Sequence, residues 1–573
     1  MARTGQPIGV MTTVVESRTL EPGDRANVGA LSSGVIVGTS RRDVLKVGGL
    51  GALGAVGLSV MPGGGPLGAK SASDLPEPLM PRPFRARFVR APVLRPYRSV
   101  RDRDGVWTDH FEVIERRSLL VVAPGVVTPV FAYNGIAPGP TIKVMRGRRS
   151  VLRVRNHLPA THPTFGQELT TSVHLHGSAS LPQYDGYASD VTPPGFYKDY
   201  HYPNIQPART LWYHDHAAHH TARNIYGGLY AQYHVHDRAE RELLPQGEYD
   251  VPLTIGDAAF AEGGGLAYDD ESGSGAMGDV ILVNGRPWPV MAVKRRVYRF
   301  RILAASTARS FRLALSTGDP LTVVATDGGL MPRSRPVEQL RTSAGERYEV
   351  LVDFRRFRPG QRVVLRNLSN DNNRDYDHTD KVMAFDVTDA PFPRRDGTWN
   401  RIPDLLLNSH VMRLKGSDAI RSRRDVLDRT GGQWVINDRT WQDVIDSDFQ
   451  LLSADPNPGD IETWTIETSG GGWFHPAHLH LVDFKILSRN GRPPFDYERG
   501  PKDTVYVGEN EAVRMVVQFG PYRGRYMVHC HNAAHEDDDM MVQYAVGWKP
   551  GQPDPNDPIL AAPPRVDDLP RRR

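Results

Sequence analysis

The chain has 573 residues, with 70 basic and 66 acidic side chains interspersed and a formal charge of only +4, so it has no concentrated basic stripe of the kind that binds nucleic acid. That length is too great for one ordinary core and asks for about three domains of roughly 150 to 200 residues. A single cysteine excludes an intramolecular disulfide, so stability must come from packing.

Residues 1–80 read as a targeting leader. Thr39-Ser40-Arg41-Arg42-Asp43-Val44-Leu45-Lys46 opens a Gly/Ala/Leu/Val run that ends near Met61, and small residues at Ala69 to Ala72 offer a peptidase site. The pattern resembles a twin-arginine export signal. It implies, as partner, the machinery that carries folded chains to the periplasm, cell envelope or exterior. The apolar run is too short and glycine-rich to span a bilayer, so no stable membrane insertion is expected after cleavage. The stretch before the arginines is longer than that pattern has; a true start further downstream would account for it, and a disordered arginine-containing leader is the alternative.

From Phe84 to Asp237 apolar and polar residues alternate in short runs broken by Gly and Pro, as in Ser150-Val151-Leu152-Arg153-Val154-Arg155 and Thr210-Leu211-Trp212-Tyr213. Such alternation predicts half-buried strands and an all-β sandwich. The pattern recurs. Tyr133-Asn134-Gly135 followed by RRSVLRVRNHL is echoed by Val283-Asn284-Gly285 followed by RRVYRFRILAAS, and more faintly by Ile436-Asn437-Asp438 followed by GDIETWTIET. Three copies of one β-domain account for this, at 84–240, 245–393 and 400–549. Glu262 to Asp279 and Asn370 to Lys381 are expected as surface loops, and the Pro-, Asp- and Arg-rich stretch 550–573 as a disordered tail or a wrapping strap.

Ten of the twenty histidines fall in four clusters: His174-Leu175-His176, His214-Asp215-His216, His475-Pro476-Ala477-His478-Leu479-His480, and His529-Cys530-His531 with His535. The first and third copies hold two clusters each; the middle copy holds none. In a strand adjacent side chains point to opposite faces, so His529 and His531 face away from Cys530. One thiolate, two imidazoles and a distant thioether make an electron-transfer copper site, and Cys530, His535 and Met540 supply three of those four donors. Asp215 stands where Cys530 stands, which leaves the first copy with outward-facing histidines only. If the two copies meet face to face, His174, His176, His214 and His216 join His478, His480, His529 and His531 around a second cluster. Eight imidazoles suit copper better than magnesium or calcium, which want oxygen. A lone His-X-His pair is a weak signal, and structural zinc takes four ligands, usually with two or more cysteines. The interlocking spacings around the sole cysteine are what point to copper. His219 and His220 lack a thiolate and are read as relics or surface residues; His110, His162, His236 and His410 have no such company.

These four motifs resemble those of the multicopper oxidases. HLHGSASLPQYDGYASDVTPPGFYKDYHYPN, ARTLWYHDHAAHHTARNIY, HPAHLHLVDFKILSR and HCHNAAHEDDDMM are most similar to the bilirubin oxidase, spore-coat laccase and phenoxazinone synthase branch. The resemblance implies three cupredoxin-like Greek-key domains and four copper ions. It assigns His475, Cys530, His535 and axial Met540 to type 1 copper, His174 and His478 to type 2, and His176, His214, His216, His480, His529 and His531 to the type 3 pair. Every ligand position is filled, unlike in relatives that keep the fold as scaffolds.

The resemblance also implies a reaction in which a phenolic, aromatic amine or tetrapyrrole donor gives single electrons near His475, whose ring edge is expected close to solvent. Four electrons then reduce dioxygen to two waters. Asp185 and Glu536 match acids given the task of proton delivery in that family, with orientation of a ligand histidine as the alternative role. Trp473 matches an aromatic beside the type 1 site; it steers flat donors or packs a glycine turn. Two other functions fit the same residues: an exported oxidase of cuprous, ferrous or manganous ions, and a non-catalytic copper-binding scaffold.

Overall fold

The computed structural model describes residues 73–163, 166–270, 273–389, 400–559 and 563–568; the twin-arginine motif and the apolar run of the leader lie outside them. Six sheets pair into three β-sandwiches. In the first, Val93–Leu94, Thr141–Met145, Tyr230–His236, Arg209–Asp215 and Val173–His176 form one sheet, and Arg98–Arg101, Trp107–Ala123, Val126–Tyr133, Arg149–Asn156 and Tyr197–Tyr202 the other. The second is the largest and includes Asp250–Phe260, Val297–Ala304 and Arg347–Asp353 on one side, Phe311–Leu315, Arg362–Asn367 and Lys381–Thr388 on the other. The third sets Arg421–Thr430, Gln433–Ile436, Ile461–Thr468, Phe484–Arg489 and Ala512–Gln518 against His475–Leu479, Thr504–Val507, Gly524–Cys530 and Met541–Val546. Alternate side chains point inward, so each sandwich has its own core: Phe111, Leu152 and Leu175 in the first, Val251, Phe300 and Val350 in the second, Trp464, Met515 and Cys530 in the third.

The three asparagine turns occupy one structural position. Asn134, Asn284 and Asn437 all have left-handed backbones, with φ of +55°, +50° and +54°, which asparagine tolerates better than most residues. Their Oδ1 atoms accept backbone N–H groups of Ile114, Thr254 and Val426 at 2.9, 2.8 and 2.9 Å. A parallel pairing also recurs, joining Trp107–Ala123 to Arg149–Asn156, Asp250–Phe260 to Val297–Ala304, and Arg421–Thr430 to Ile461–Thr468. Parallel neighbours cannot be joined by a tight hairpin, so the chain crosses over within each copy.

Among the described residues the helices are short, and none is long and apolar enough to cross a membrane. The first and second sandwiches are tied together by buried charge. Arg301 meets Asp250, Glu240 and Glu349 at 2.7, 2.9 and 2.9 Å, and Thr210, on the strand that carries His214, donates to Glu349 at 2.7 Å. The leader's last residues are anchored too: Ser73 Oγ donates to Asp279 at 2.6 Å and Leu75 packs into the second core. The described residues after Lys549 form a strap. Arg525 holds Asp554 and Asp557 at 3.0 and 2.7 Å, Ile559 is buried beside Tyr187 and Met527, and Tyr197 N donates to Pro564 O at 3.0 Å. The Glu262 to Asp279 segment departs from the surface loop expected of it. Ser274 to Gly278 are buried, because Ser274 and Gly275 lie against Asn532 of the third sandwich while Met277 and Gly278 pack against Arg374 and Ala258 of the second.

Candidate metal centres

Strand pairing brings the two faces of Gly524–Cys530 into use. Ala477 pairs with Cys530 and His478 with His529; in the first sandwich Val173 pairs with Asp215 and His174 with His214. Asp215 and Cys530 thus hold the same place, and pleating sends the flanking histidines to the other side.

On the cysteine side, Cys530 Sγ lies 3.4 Å from His475 Nδ1 and 3.7 Å from His535 Nδ1, and the two nitrogens are 3.2 Å apart. The chain turns from Cys530 back to His535 through Asn532, whose side chain caps the short helix Ala533–Asp537 by accepting from Ala534 N at 3.2 Å. Asn532 N donates to Cys530 Sγ at 3.4 Å. Met540 is buried in the same core as Cys530, and its carbonyl accepts from Cys530 N at 3.1 Å. Burial pushes the Cys530 thiol up and the His475 imidazole down to about 3, so at neutral pH His475 is uncharged and keeps a ring nitrogen lone pair for a ligand bond.

On the reverse side eight histidines from two sandwiches converge. Ligand nitrogens of His174, His478 and His480, of His176, His214 and His531, and of His216, His480 and His529 lie within 4.8 Å of one another. Most rings are turned by a partner on Nδ1. His214 donates to the Asp215 carbonyl at 2.8 Å, His478 to the Asp503 carbonyl at 2.9 Å, His480 to Asp185 Oδ2 at 2.7 Å, and His174 to the Asp185 carbonyl. His176 is reversed. Asp503 Oδ1 at 3.1 Å and Thr504 Oγ1 at 2.9 Å engage its Nε2, which points Nδ1 at His531 Nε2, 3.2 Å away. Gly177 makes room for this, since a Cβ there would strike Arg347 and stand 2.6 Å from Asp503.

The Nε2 atoms of His174, His214 and His478 are buried without a hydrogen-bond partner. Each such orphan costs about 1–3 kcal/mol, and a bound cation removes that cost. A set of neutral imidazoles plus one thiol, with no oxygen cage, fits copper.

The acids flanking the cluster are set apart by their surroundings. Asp185, at 2% exposure, has its carboxyl raised well above the usual range by burial, with Lys198 opposing. Burial also pushes Glu536 up, but the rings of His216 and His529 outweigh it and hold the carboxyl well below that range; Glu536 lies 3.5 Å from His216 Nδ1 and 3.1 Å from His529 Nδ1.

Trp473 is half-buried and stands edge-on to His535, ring centres 5.5 Å apart. The His475 ring, expected to lie close to solvent, is itself 1% exposed, with Trp434 5.4 Å from it. His219 lies at the surface and its Nδ1 donates to the Asp537 carbonyl at 3.0 Å, while His220 is partly buried. Sequence reasoning missed Trp434, which stacks on His535 at 3.9 Å with 23° between ring planes, and Asp503. Neither lies at a spacing that ties it to a ligand.

Family models for the multicopper oxidases match residues 118–240, 236–385 and 423–549. The chain is 41% identical over 430 residues to the bilirubin oxidase of Albifimbria verrucaria, covering 72% of each, and 34% identical over 472 residues to the laccase of Bacillus subtilis, covering 72% of this chain and 89% of that one. The crystal structure of McoA multicopper oxidase from Aquifex aeolicus shares 28% identity with a TM-score of 0.69, over 80% of this chain and 100% of that one. With its three cupredoxin-like sandwiches and its copper-fitting clusters, the chain belongs to the multicopper oxidase family, copper-dependent oxidoreductases that use dioxygen as acceptor.

Proposed function

We propose that this oxidase takes single electrons from phenolic, aromatic amine or tetrapyrrole donors and reduces dioxygen to water. The observation that carries the reading is the shared strand: Cys530 meets His475 and His535 on one face while His529 and His531 meet the first sandwich's histidines on the other. Copper, when bound, supplies one-electron exchange at the Cys530 site and four-electron reduction of dioxygen at the histidine cluster. In this reading His475, Cys530, His535 and Met540 hold type 1 copper; His174 and His478 hold type 2; His176, His214, His216, His480, His529 and His531 hold the type 3 pair. Buried walls exclude water from both centres.

Asp185 and Glu536 serve as a proton donor and acceptor of opposed character, a pattern expected where protons must be handed to reduced oxygen. Asp185 holds a proton at Oδ1, the carboxyl oxygen without a hydrogen-bond partner. Glu536 stays ionised between His216 and His529 and relays protons from its side of the cluster. Trp473, the half-buried aromatic over His535, presents a flat surface on which an aromatic donor can stack.

The test is dioxygen consumption by copper-loaded protein with a phenolic donor, set against cuprous and ferrous ions. Faster turnover of the phenol, with KM raised in Trp473→Ala, is expected. Preference for either metal ion would sink the organic-donor assignment. Export by the twin-arginine route to the cell envelope or exterior belongs to the same proposal and rests on the Arg41-Arg42 leader. Replacing both arginines by lysine should leave the protein in the cytoplasm.

A further inference from the structure

The middle sandwich supplies no histidine to either centre, yet its Glu262 to Asp279 segment ends against the Cys530 site. The Gly273 carbonyl accepts from Trp434 Nε1 at 2.8 Å, and the Ser274 carbonyl accepts from Asn532 Nδ2 at 3.0 Å. Asn532 Nδ2 is also 2.9 Å from His535 Nε2, and the His535 ring is hydrogen-bonded to the same Ser274 carbonyl. A third acceptor of the middle sandwich, the Thr307 carbonyl, takes Ala533 N at 2.8 Å. Trp434, 2% exposed, covers one face of His535. Gly275 has a φ of +106°, and a Cβ there would strike Ala308 and stand 2.9 Å from Asn532 Oδ1. Only glycine lets the turn lie this close. Trp434, Asn532, Ala533 and His535 thus all end on backbone carbonyls of one foreign domain.

We propose that the Gly273–Gly275 turn is a positioning element for the copper held by Cys530: it sets the pose of the His535 imidazole and of Trp434 above it, and with them how readily that copper takes an electron. The proposal rests on the reading that Cys530 and His535 hold that copper. An acceptor on the far nitrogen makes a ligand imidazole more basic. A more basic ligand favours the oxidised ion, so displacing the turn shifts the site toward its reduced state.

The experiment uses full-length, copper-loaded protein and reads copper content, the blue absorption and the equilibrium constant for electron exchange with a one-electron mediator. Gly275→Ala should move that constant toward reduced copper by about tenfold, or 59 mV for one electron. Trp434→Phe keeps a ring over His535 but removes the N–H donor, and should move it the same way by a smaller factor. Gly263→Ala, where a Cβ meets nothing within 4 Å, should leave it unchanged. Unaltered constants in both Gly275→Ala and Trp434→Phe overturn the proposal, and Trp434→Phe alone decides if Gly275→Ala does not fold. Cys530→Ser separates the two readings. A blue band that persists in it defeats the assignment of the site, whereas a band lost in it with unaltered constants in the turn variants defeats only the positioning role.

Discussion

At Cys530 the burial that excludes water also raises the thiol's pKa, so metal binding must displace a proton and weakens as pH falls. Serine places a far poorer ligand at the same point. Cys530→Ser should abolish the blue absorption and donor turnover together while unfolding stays close to wild type; a serine variant that oxidised phenols undiminished would contradict the assignment. The opposed shifts of Glu536 and Asp185 come from their surroundings. Glu536→Gln keeps the shape but not the charge, and it should slow reoxidation by dioxygen about a hundredfold with the blue band intact. Stopped-flow absorbance checks this; loss of copper instead would assign Glu536 an orienting role.

At the scale of elements, the acidic run after His535 divides its work. Glu536 points at the cluster, Asp537 accepts from Thr221 N and Ala222 N at 2.9 and 2.8 Å at the start of helix Thr221–Gly227, and the Asp538 carbonyl accepts from Gln433 at 2.7 Å. Composition alone presents four like charges in a row; the turn of the Ala533–Asp537 helix is what sends them different ways. Asp537→Ala should cost about 1 kcal/mol in denaturant unfolding, with Asp537→Asn recovering only part of that because its single amide oxygen can accept one of the two N–H groups while its NH2 faces the other.

Across the whole molecule, the sandwich without copper ligands holds the other two. Arg347, wholly buried, grips Asp503 at 2.7 Å, and Asp503 turns both His176 and His478. Arg347→Met leaves that carboxylate buried without its cation, and should destabilise the metal-free protein by about 3–5 kcal/mol, read as a fall in Tm. The clusters also make stability depend on pH. Burial holds His475 and His531 at about 3 and His216 at about 4. These folded values lie below the unfolded value of about 6.5, so the unfolded chain binds more protons. The stabilisation is complete above about 6.5 and is lost as pH falls toward 3, at about 1.4 kcal/mol per pH unit for each histidine. Metal-free protein unfolded in denaturant at pH 8, 6 and 4.5 should show this slope.

Two kinds of information meet in this protein. The amino-acid order alone determined the strands, the three-fold repeat and which histidines flank which, because alternation, the Asn turn and the i, i+2 spacing of ligands are local properties of the chain. It could not decide that His176 presents Nδ1, that Trp434 stacks on His535, or that Ser274 reaches Asn532. Those contacts join residues from about one hundred to more than three hundred positions apart; the first and third cross between sandwiches, the second closes within the third, and neither docking nor folding back leaves a period or composition behind it.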